Sequence, residues 1–247
     1  MSSNDLVIFP MSDKTYDVKK DLLFNLPMRL LICGKSQLSG KTTLIANLLA
    51  RKQFYKDDFK SQNIYIISPS AKTDEKWVKL IEYREIPEEN IFDSYDESEM
   101  KVLYKFLEDD YNDAIENEEE PQQKLIIFDD VAYSGDLHSK KNKTIDKIAN
   151  QGRHFLISCI MVLQYYTQAS PNFRANVSGL IIFGSTQKQW DSIADEHNTL
   201  SNRKEFIKKM KEATEEKHSF ICINYTNEKE HRYMKNFVEP LVFDVKS

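Results

Sequence analysis

Ten consecutive residues carry the parts that a nucleoside triphosphate needs: Gly34-Lys35-Ser36-Gln37-Leu38-Ser39-Gly40-Lys41-Thr42-Thr43. A triphosphate is held by backbone N–H donors, by the positive end of a helix, by a lysine at the β- and γ-phosphates and by a hydroxyl on Mg²⁺. Gly40, Lys41 and Thr42 offer these in order. Lys41 is therefore expected on the phosphates and Thr42 on the metal, with the remaining residues of the segment wrapping the nucleotide. The spacing departs from the usual pattern, G-x-x-x-x-G-K-[ST]. Here the gap between the glycines is one residue longer, running from Lys35 through Ser39. Either Lys35 takes the first glycine position or the loop bulges by one residue.

A second group lies downstream. Lys124-Leu125-Ile126-Ile127-Phe128-Asp129-Asp130 is an apolar run closed by two carboxylates. A carboxylate at the carboxyl end of a strand beside a phosphate loop can hold the Mg²⁺ water shell, which assigns Asp129 to the metal. The next residue commonly polarises the attacking water, often as glutamate, and Asp130 is one methylene shorter. The competing reading for Asp130 is a helix N-cap. A third apolar run, residues 156–163 (LISCIMVL), ends on Gln164. An amide there could sense the γ-phosphate and orient water. Before this run stands Gln151-Gly152-Arg153-His154, and after it Pro171-Asn172-Phe173-Arg174-Ala175-Asn176. Arg153 and, as an alternative, Arg174 are candidates for an arginine finger reaching a neighbouring subunit's γ-phosphate. The competing reading for each is a surface salt bridge, and His154 reads as a packing residue.

These side chains need a frame. Residues 28–33 (MRLLIC), 63–68 (NIYIIS), 124–128 (KLIIF), 156–163 and 179–183 (GLIIF) are continuous apolar runs, hence buried strands, and 219–225 (SFICINY) is a late strand. Helical spacing covers 41–54, 74–83, 97–117, 138–151, 187–196 and 203–215, and the acidic run ENEEEPQQ reads as a solvated loop. Strands alternating with helices predict an α/β fold with a mostly parallel central sheet covered on both faces. No repeat or Gly/Pro/Ser-rich linker interrupts the chain. The expectation is one domain over residues 1–247, with 1–25 as an irregular arm or edge strand and 185–247 as a C-terminal helical and strand extension.

The 247 residues include 34 Lys and Arg against 39 Asp and Glu, a net charge of −5, which excludes a generally basic nucleic-acid coat. Any DNA contact must come from a local patch. One is Lys140, Lys141 and Lys143. The other is Lys204, Lys208, Lys209 and Lys211, of which Lys204, Lys208 and Lys211 fall close to one helical face. The competing reading of both is solvated surface. No apolar run approaches the roughly 20 residues that span a bilayer, and the first residues do not read as a signal peptide. Cys33, Cys159 and Cys222 each sit in an apolar run, which suggests buried thiols and a reducing compartment. No metal-ligand spacing of His or Cys is present.

With RLLICGKSQLSGKTTL, LIIFDDV, GRHFLISCIMVLQYY and PNFRANVSGLII on the page, the chain resembles the FtsK–HerA superfamily of DNA-pumping ATPases. It is most similar to the viral genome-packaging branch found in poxviruses, other large DNA viruses and virophages. The resemblance runs over roughly residues 27–183, and the Gly-Arg-His turn before an apolar strand ending in Gln is its most specific part. It implies a RecA-like P-loop core, ATP and Mg²⁺ as cofactors, and a homo-oligomeric ring. It also implies translocation of double-stranded DNA into a preformed capsid, capsid vertex proteins as partners, and a place in the host cytoplasm or virion. Carried over by position, Lys41 and Thr42 bind phosphate and Mg²⁺, Asp129 and Asp130 are the acidic pair, Gln164 is the sensor and Arg153 is the trans-acting arginine. Rival expectations are another P-loop enzyme, such as a helicase loader, a conjugation ATPase or a small-molecule kinase, and a nucleotide-binding virion or scaffold protein without significant turnover.

Overall fold

The apolar runs become strands because each buries both faces. In the computed structural model, which describes residues 20–35, 39–131, 143–199 and 202–243, they build one nine-stranded sheet. In chain order the elements are β1 (Arg29–Cys33), α1 (Lys41–Ala50), β2 (Ile64–Ile67), α2 (Glu75–Arg84), β3 (Ile91–Phe92), α3 (Glu97–Glu116), β4 (Lys124–Asp129) and α4 (Thr144–Gln151). There follow β5 (Ile157–Leu163), α5 (Pro171–Asn176), β6 (Gly179–Phe183), α6 (Gln187–His197), α7 (Arg203–Ala213), β7 (Phe220–Asn224), β8 (Tyr233–Lys235) and β9 (Glu239–Pro240).

The strand order is β3-β2-β4-β5-β1-β6-β7-β8-β9. The first six in that order pair in parallel, and β7, β8 and β9 add on antiparallel. Because side chains alternate across a strand, each strand feeds two apolar layers. Leu31, Cys33, Ile126, Phe128, Met161 and Leu163 face α3, α4, α6 and α7. Leu30, Ile32, Leu125, Ile127, Ile160 and Val162 face α1 and α2. The three cysteines are buried and free, and burial pushes the Cys33 and Cys159 thiols up to about 12.

Helix starts are set by short polar side chains. Asp74 and Asp96 each accept two N–H bonds at the openings of α2 and α3, as Asn202 does for α7. At α1 the position is Gly40, which has no side chain to cap the helix with.

The runs expected as strands form strands, and the sheet is mostly parallel. Several elements differ from expectation. The first helix stops at Ala50 and gives way to turns. β3, α5, β8 and β9 were not anticipated, nor was the antiparallel edge. Of the expected arm, residues 1–19 lie outside the described residues. Lys20–Leu22 form a 3-10 turn, and Leu23 and Phe24 are buried on the sheet without adding a strand. The first part of the expected helix at 138–151 also lies outside the described residues.

Phe24 sets a steric condition on β6. A Cβ at Gly179 would sit 1.9 Å from the Phe24 ring. Gly179→Ala is expected to destabilise the fold by about 1–3 kcal/mol, the usual range for overpacking. The same substitution in a Phe24→Leu background should cost clearly less. Denaturant unfolding of the four proteins checks this, and equal costs in both backgrounds would show that the ring is not the obstacle.

Candidate nucleotide-binding site

Parallel strands bring their carboxyl ends to one edge of the sheet, and three of those ends make the site. β5 lies between β1 and β4, with Cys33 opposite Leu163 and Asp129 opposite Val162. Pairing continues into the loops, where Gly34 N–H donates to Leu163 O at 3.2 Å and Asp130 N–H to Val162 O at 3.3 Å. The phosphate loop, the acidic pair and Gln164 are thereby stitched to one another before any side chain is considered.

The two glycines of the loop have separate reasons. A Cβ at Gly34 would come within 2.8 Å of the Phe183 Cβ and 2.9 Å of the Ser39 Cβ. Gly40 has φ of 85°, a left-handed conformation that L side chains resist. Lys41 folds over this loop. Its Nζ donates to Gly34 O at 2.5 Å, Lys35 O at 3.2 Å and Ser39 Oγ at 3.3 Å, while Ser39 Oγ donates to Lys35 O at 2.8 Å. Burial lowers the Lys41 pKa, against the raising pull of Asp129, Asp130 and Cys33. Thr42 lines the cleft from the first turn of α1. Thr43 follows it, and its carbonyl accepts from Asn47. Ser36, Gln37 and Leu38 lie outside the described residues.

Asp129 is buried at the tip of β4. One of its oxygens accepts from Trp77 Nε1 at 2.8 Å and from Ser68 Oγ at 3.4 Å. Burial raises its pKa above the ordinary carboxylate range. The Trp77 bond opposes that rise, Asp130 adds to it, and Lys41 and Ser68 oppose it. Asp130 takes a left-handed conformation, φ 53°, which Asp tolerates better than most residues. Its Oδ1 accepts from Gln164 Nε2 at 3.3 Å. Gln164 is itself fixed by a turn in which Gln168 Oε1 accepts from the backbone N–H of Gln164 at 3.1 Å and of Tyr165 at 2.8 Å.

Together Ser39, Gly40, Lys41, Thr42, Asp129, Asp130 and Gln164 line one cleft of about 190 Å³. The structure thus unites the loop, the acidic pair and the amide. Ser70, Asp74 and Lys76 complete the wall, and these, with Trp77, were missed by sequence reasoning. The one available signal was that a buried indole N–H must find an acceptor, which does not say where. The donor set suits Mg²⁺, a hard cation that takes one or two protein oxygens and completes its shell with water and phosphate. The Thr42 hydroxyl and the Asp129 carboxylate are such oxygens.

The arginines stand apart. Arg153 is exposed in the 3-10 turn Gly152–Phe155 that precedes β5. The seven-residue strand separates it from Gln164 by roughly 23 Å at the usual rise per residue. His154 is exposed, not packed, because the turn directs it outward. Arg174 is engaged within its own chain. It grips Glu196 through Nε (3.1 and 3.0 Å) and Nη2 (2.9 Å), donates to Ala169 O at 2.7 Å and stacks on Tyr166. Tyr166 also bonds Glu196 and the buried His197, so Arg174 closes a polar network that runs from the exposed Glu196 to the buried His197. Of the basic clusters, Lys140 and Lys141 lie outside the described residues and Lys143 precedes α4. On α7, Lys204, Lys208 and Lys211 are exposed, Lys211 bonds Gln187, and Lys209 bonds the Val242 carbonyl.

The Trp77–Asp129 bond orients a carboxylate in the position to hold a metal. Trp77→Phe should weaken Mg²⁺-dependent nucleotide binding about 10- to 100-fold, the usual cost of losing an outer partner of a ligand. Metal-free nucleotide binding should change much less. Titration of a fluorescent nucleotide with and without Mg²⁺ reads the difference, and equal losses in both would point to general damage to the fold.

The sequence profile of the family described as Poxvirus A32 protein matches residues 15–240. No curated protein sequence matches the chain. The genome packaging NTPase B204 from Sulfolobus turreted icosahedral virus 2, in complex with AMPPCP, is similar in fold. Its TM-score is 0.58 at 14% identity, over 88% of this chain and 100% of that one. B204, the DNA-packaging ATPase from Sulfolobus Turreted Icosahedral Virus, gives 0.56 at 16% identity, over 89% and 100%. The pCW3 conjugation coupling protein TcpA, in monomer form with ATPγS, gives 0.53 at 16% identity, over 80% of this chain and 57% of that one. These likenesses identify the fold as the α/β type of P-loop packaging ATPases, with helices flanking a mostly parallel mixed sheet. The family match extends over nearly the whole sequence, and the chain belongs to the poxvirus A32 protein family.

Proposed function

We propose that the chain is a Mg²⁺-dependent ATPase that drives double-stranded viral DNA into a preformed capsid, working as a homo-oligomeric ring at a capsid vertex. The observation that carries the catalytic part is the convergence of Lys41, Thr42, Asp129, Asp130 and Gln164 on one cleft. The loop and Lys41 bind the phosphates, and Thr42 and Asp129 hold the metal, which when bound neutralises charge on the β- and γ-phosphates. Gln164 and Asp130 position a water whose oxygen bonds to the γ-phosphorus as the bond to the β–γ bridging oxygen breaks. Asp130 takes the proton that the water loses, leaving ADP and phosphate. Membership of the A32 family and the fold shared with the B204 packaging NTPase support DNA packaging as the work done. No described helix is long and apolar enough to cross a membrane.

Lys41→Ala should cut phosphate release on the order of 10²–10³-fold and weaken nucleotide binding. Asp130→Asn should leave Mg²⁺–nucleotide binding intact and lower turnover about 10²–10⁴-fold, the range for losing a general base. Near wild-type phosphate release from Lys41→Ala would overturn the enzyme reading in favour of a nucleotide-binding virion protein.

Arg153 is the finger we favour, acting in trans. Its exposure at the end of β5 remote from its own phosphate loop supports that role, whereas Arg174 is committed to Glu196. Mixing Arg153→Ala subunits with Lys41→Ala subunits, each inactive alone, should restore part of the ATPase rate. At some interfaces an intact arginine then meets an intact loop. No recovery in assemblies shown by gel filtration to be mixed would count against Arg153.

A further inference from the structure

Lys76 lies on the wall of the cleft, and the phosphate-loop motif does not account for it. It sits in the first turn of α2, half-buried, alongside Ser70, Asp74, Asp129 and Asp130. Its backbone and that of Trp77 are both held by Asp74. Asp74 Oδ1 accepts from the N–H of Lys76 at 2.9 Å and of Trp77 at 3.3 Å, and the fully buried Trp77 reaches Asp129 with its indole. Lys76 is therefore the immediate neighbour of the residue that anchors Asp129. Among the described residues its ammonium makes no ion pair, whereas Lys79 on the next turn pairs with Glu75. A lysine that lines a cleft beside three carboxylates, with its ammonium ion-paired to none of them, is a cation open to an anion.

The strand order says which part of a nucleotide it meets. Gln164, Asp129 and Asp130 mark the γ-phosphate end. β2, whose following segment carries Ser70 and α2, lies beyond β4 on the side away from β1. Lys76 thus lines the cleft from beyond the acidic pair, on the side away from the strand that leads into Lys41. We propose that Lys76 is a second cation acting in cis on the γ-phosphate, and that it lets the cleft distinguish a nucleoside triphosphate from a diphosphate. This rests on the ATPase reading above. In hydrolysis the same ammonium stabilises charge on the γ-phosphate oxygens as the bridging bond breaks, with no proton transfer of its own.

The test compares wild type, Lys76→Ala, Lys76→Gln, Lys76→Arg and Lys41→Ala for equilibrium binding of ATPγS and ADP with Mg²⁺, each checked by thermal unfolding. Wild type should prefer ATPγS. Lys76→Ala and Lys76→Gln should lose roughly tenfold of that preference, as for one charge-assisted contact, with ADP affinity nearly unchanged. Lys76→Arg should keep most of it. In steady state the loss should fall on kcat more than on KM. Equal weakening of both nucleotides, no change in either, or a wild type without preference would each overturn the proposal. The Gln variant keeps the stem of the side chain, so it remains informative if the Ala variant does not fold. Failure of the ATPase reading shows separately, as Lys41→Ala binding both nucleotides like wild type.

Discussion

The constraint on which the structure turns is a carboxylate at the tip of β4 that is taken out of water and still has to carry charge. Burial alone favours the protonated form of Asp129, and Asp130 beside it adds to the bias. Burying a charge without partners is costly. The partners come from three separate parts of the chain. Lys41 gives opposite charge from the loop after β1, Trp77 gives an indole N–H from α2, and Ser68 gives a hydroxyl from the end of β2. Lys41 is desolvated in turn and leans on the two aspartates. Lys41 and Asp129 each favour the other's charged form against the burial that opposes it, which ties the positions of β1, β2, β4 and α2 to one another.

The sheet answers that constraint by its order. A parallel sheet gathers strand ends at one edge, and inserting β5 between β1 and β4 leaves the width of one strand between loop and carboxylates. Gln164 fills that gap from the end of the inserted strand and bonds Asp130. The left-handed backbone of Asp130 turns its carboxylate out of the apolar layers and toward this amide. Backbone conformations of this kind persist where the surroundings over-determine them, and here the bonds from Asp130 N–H to Val162 O and from Gln164 do so.

What could be read in the sequence follows from the range of the forces involved. That Lys41, Thr42 and Asp129 share one cleft was legible because groups of the kind that phosphate and metal demand stand at fixed local spacing. The long buried strands were legible because continuous apolar runs mark them. β3, β8 and β9 are two or three residues long, too short for an alternating pattern, and owe their existence to neighbouring strands. Pro171 reads as a breaker, yet it occupies the first turn of α5, where its missing N–H costs nothing. Trp77 and Lys76 stayed hidden because they reach the site through the strand order, which no local spacing encodes. The fate of Arg174 depended on Glu196, 22 residues away.

The central position of β1 has a consequence for how the chain comes into being. Its neighbours in the sheet arrive late, as shown by Met28 bonding Ser158 across 130 residues and Arg29 bonding Ser178 across 149. Until β5 and β6 have been synthesised, β1 has no partner on either side and the phosphate loop has no floor. During translation the apolar run of β1 must therefore wait exposed while more than half of the chain emerges. Pairing across such separations carries a loop-closure cost that slows folding. Closure of the cleft therefore belongs to a late stage of assembly in this molecule, after β5 and β6 have come to flank β1.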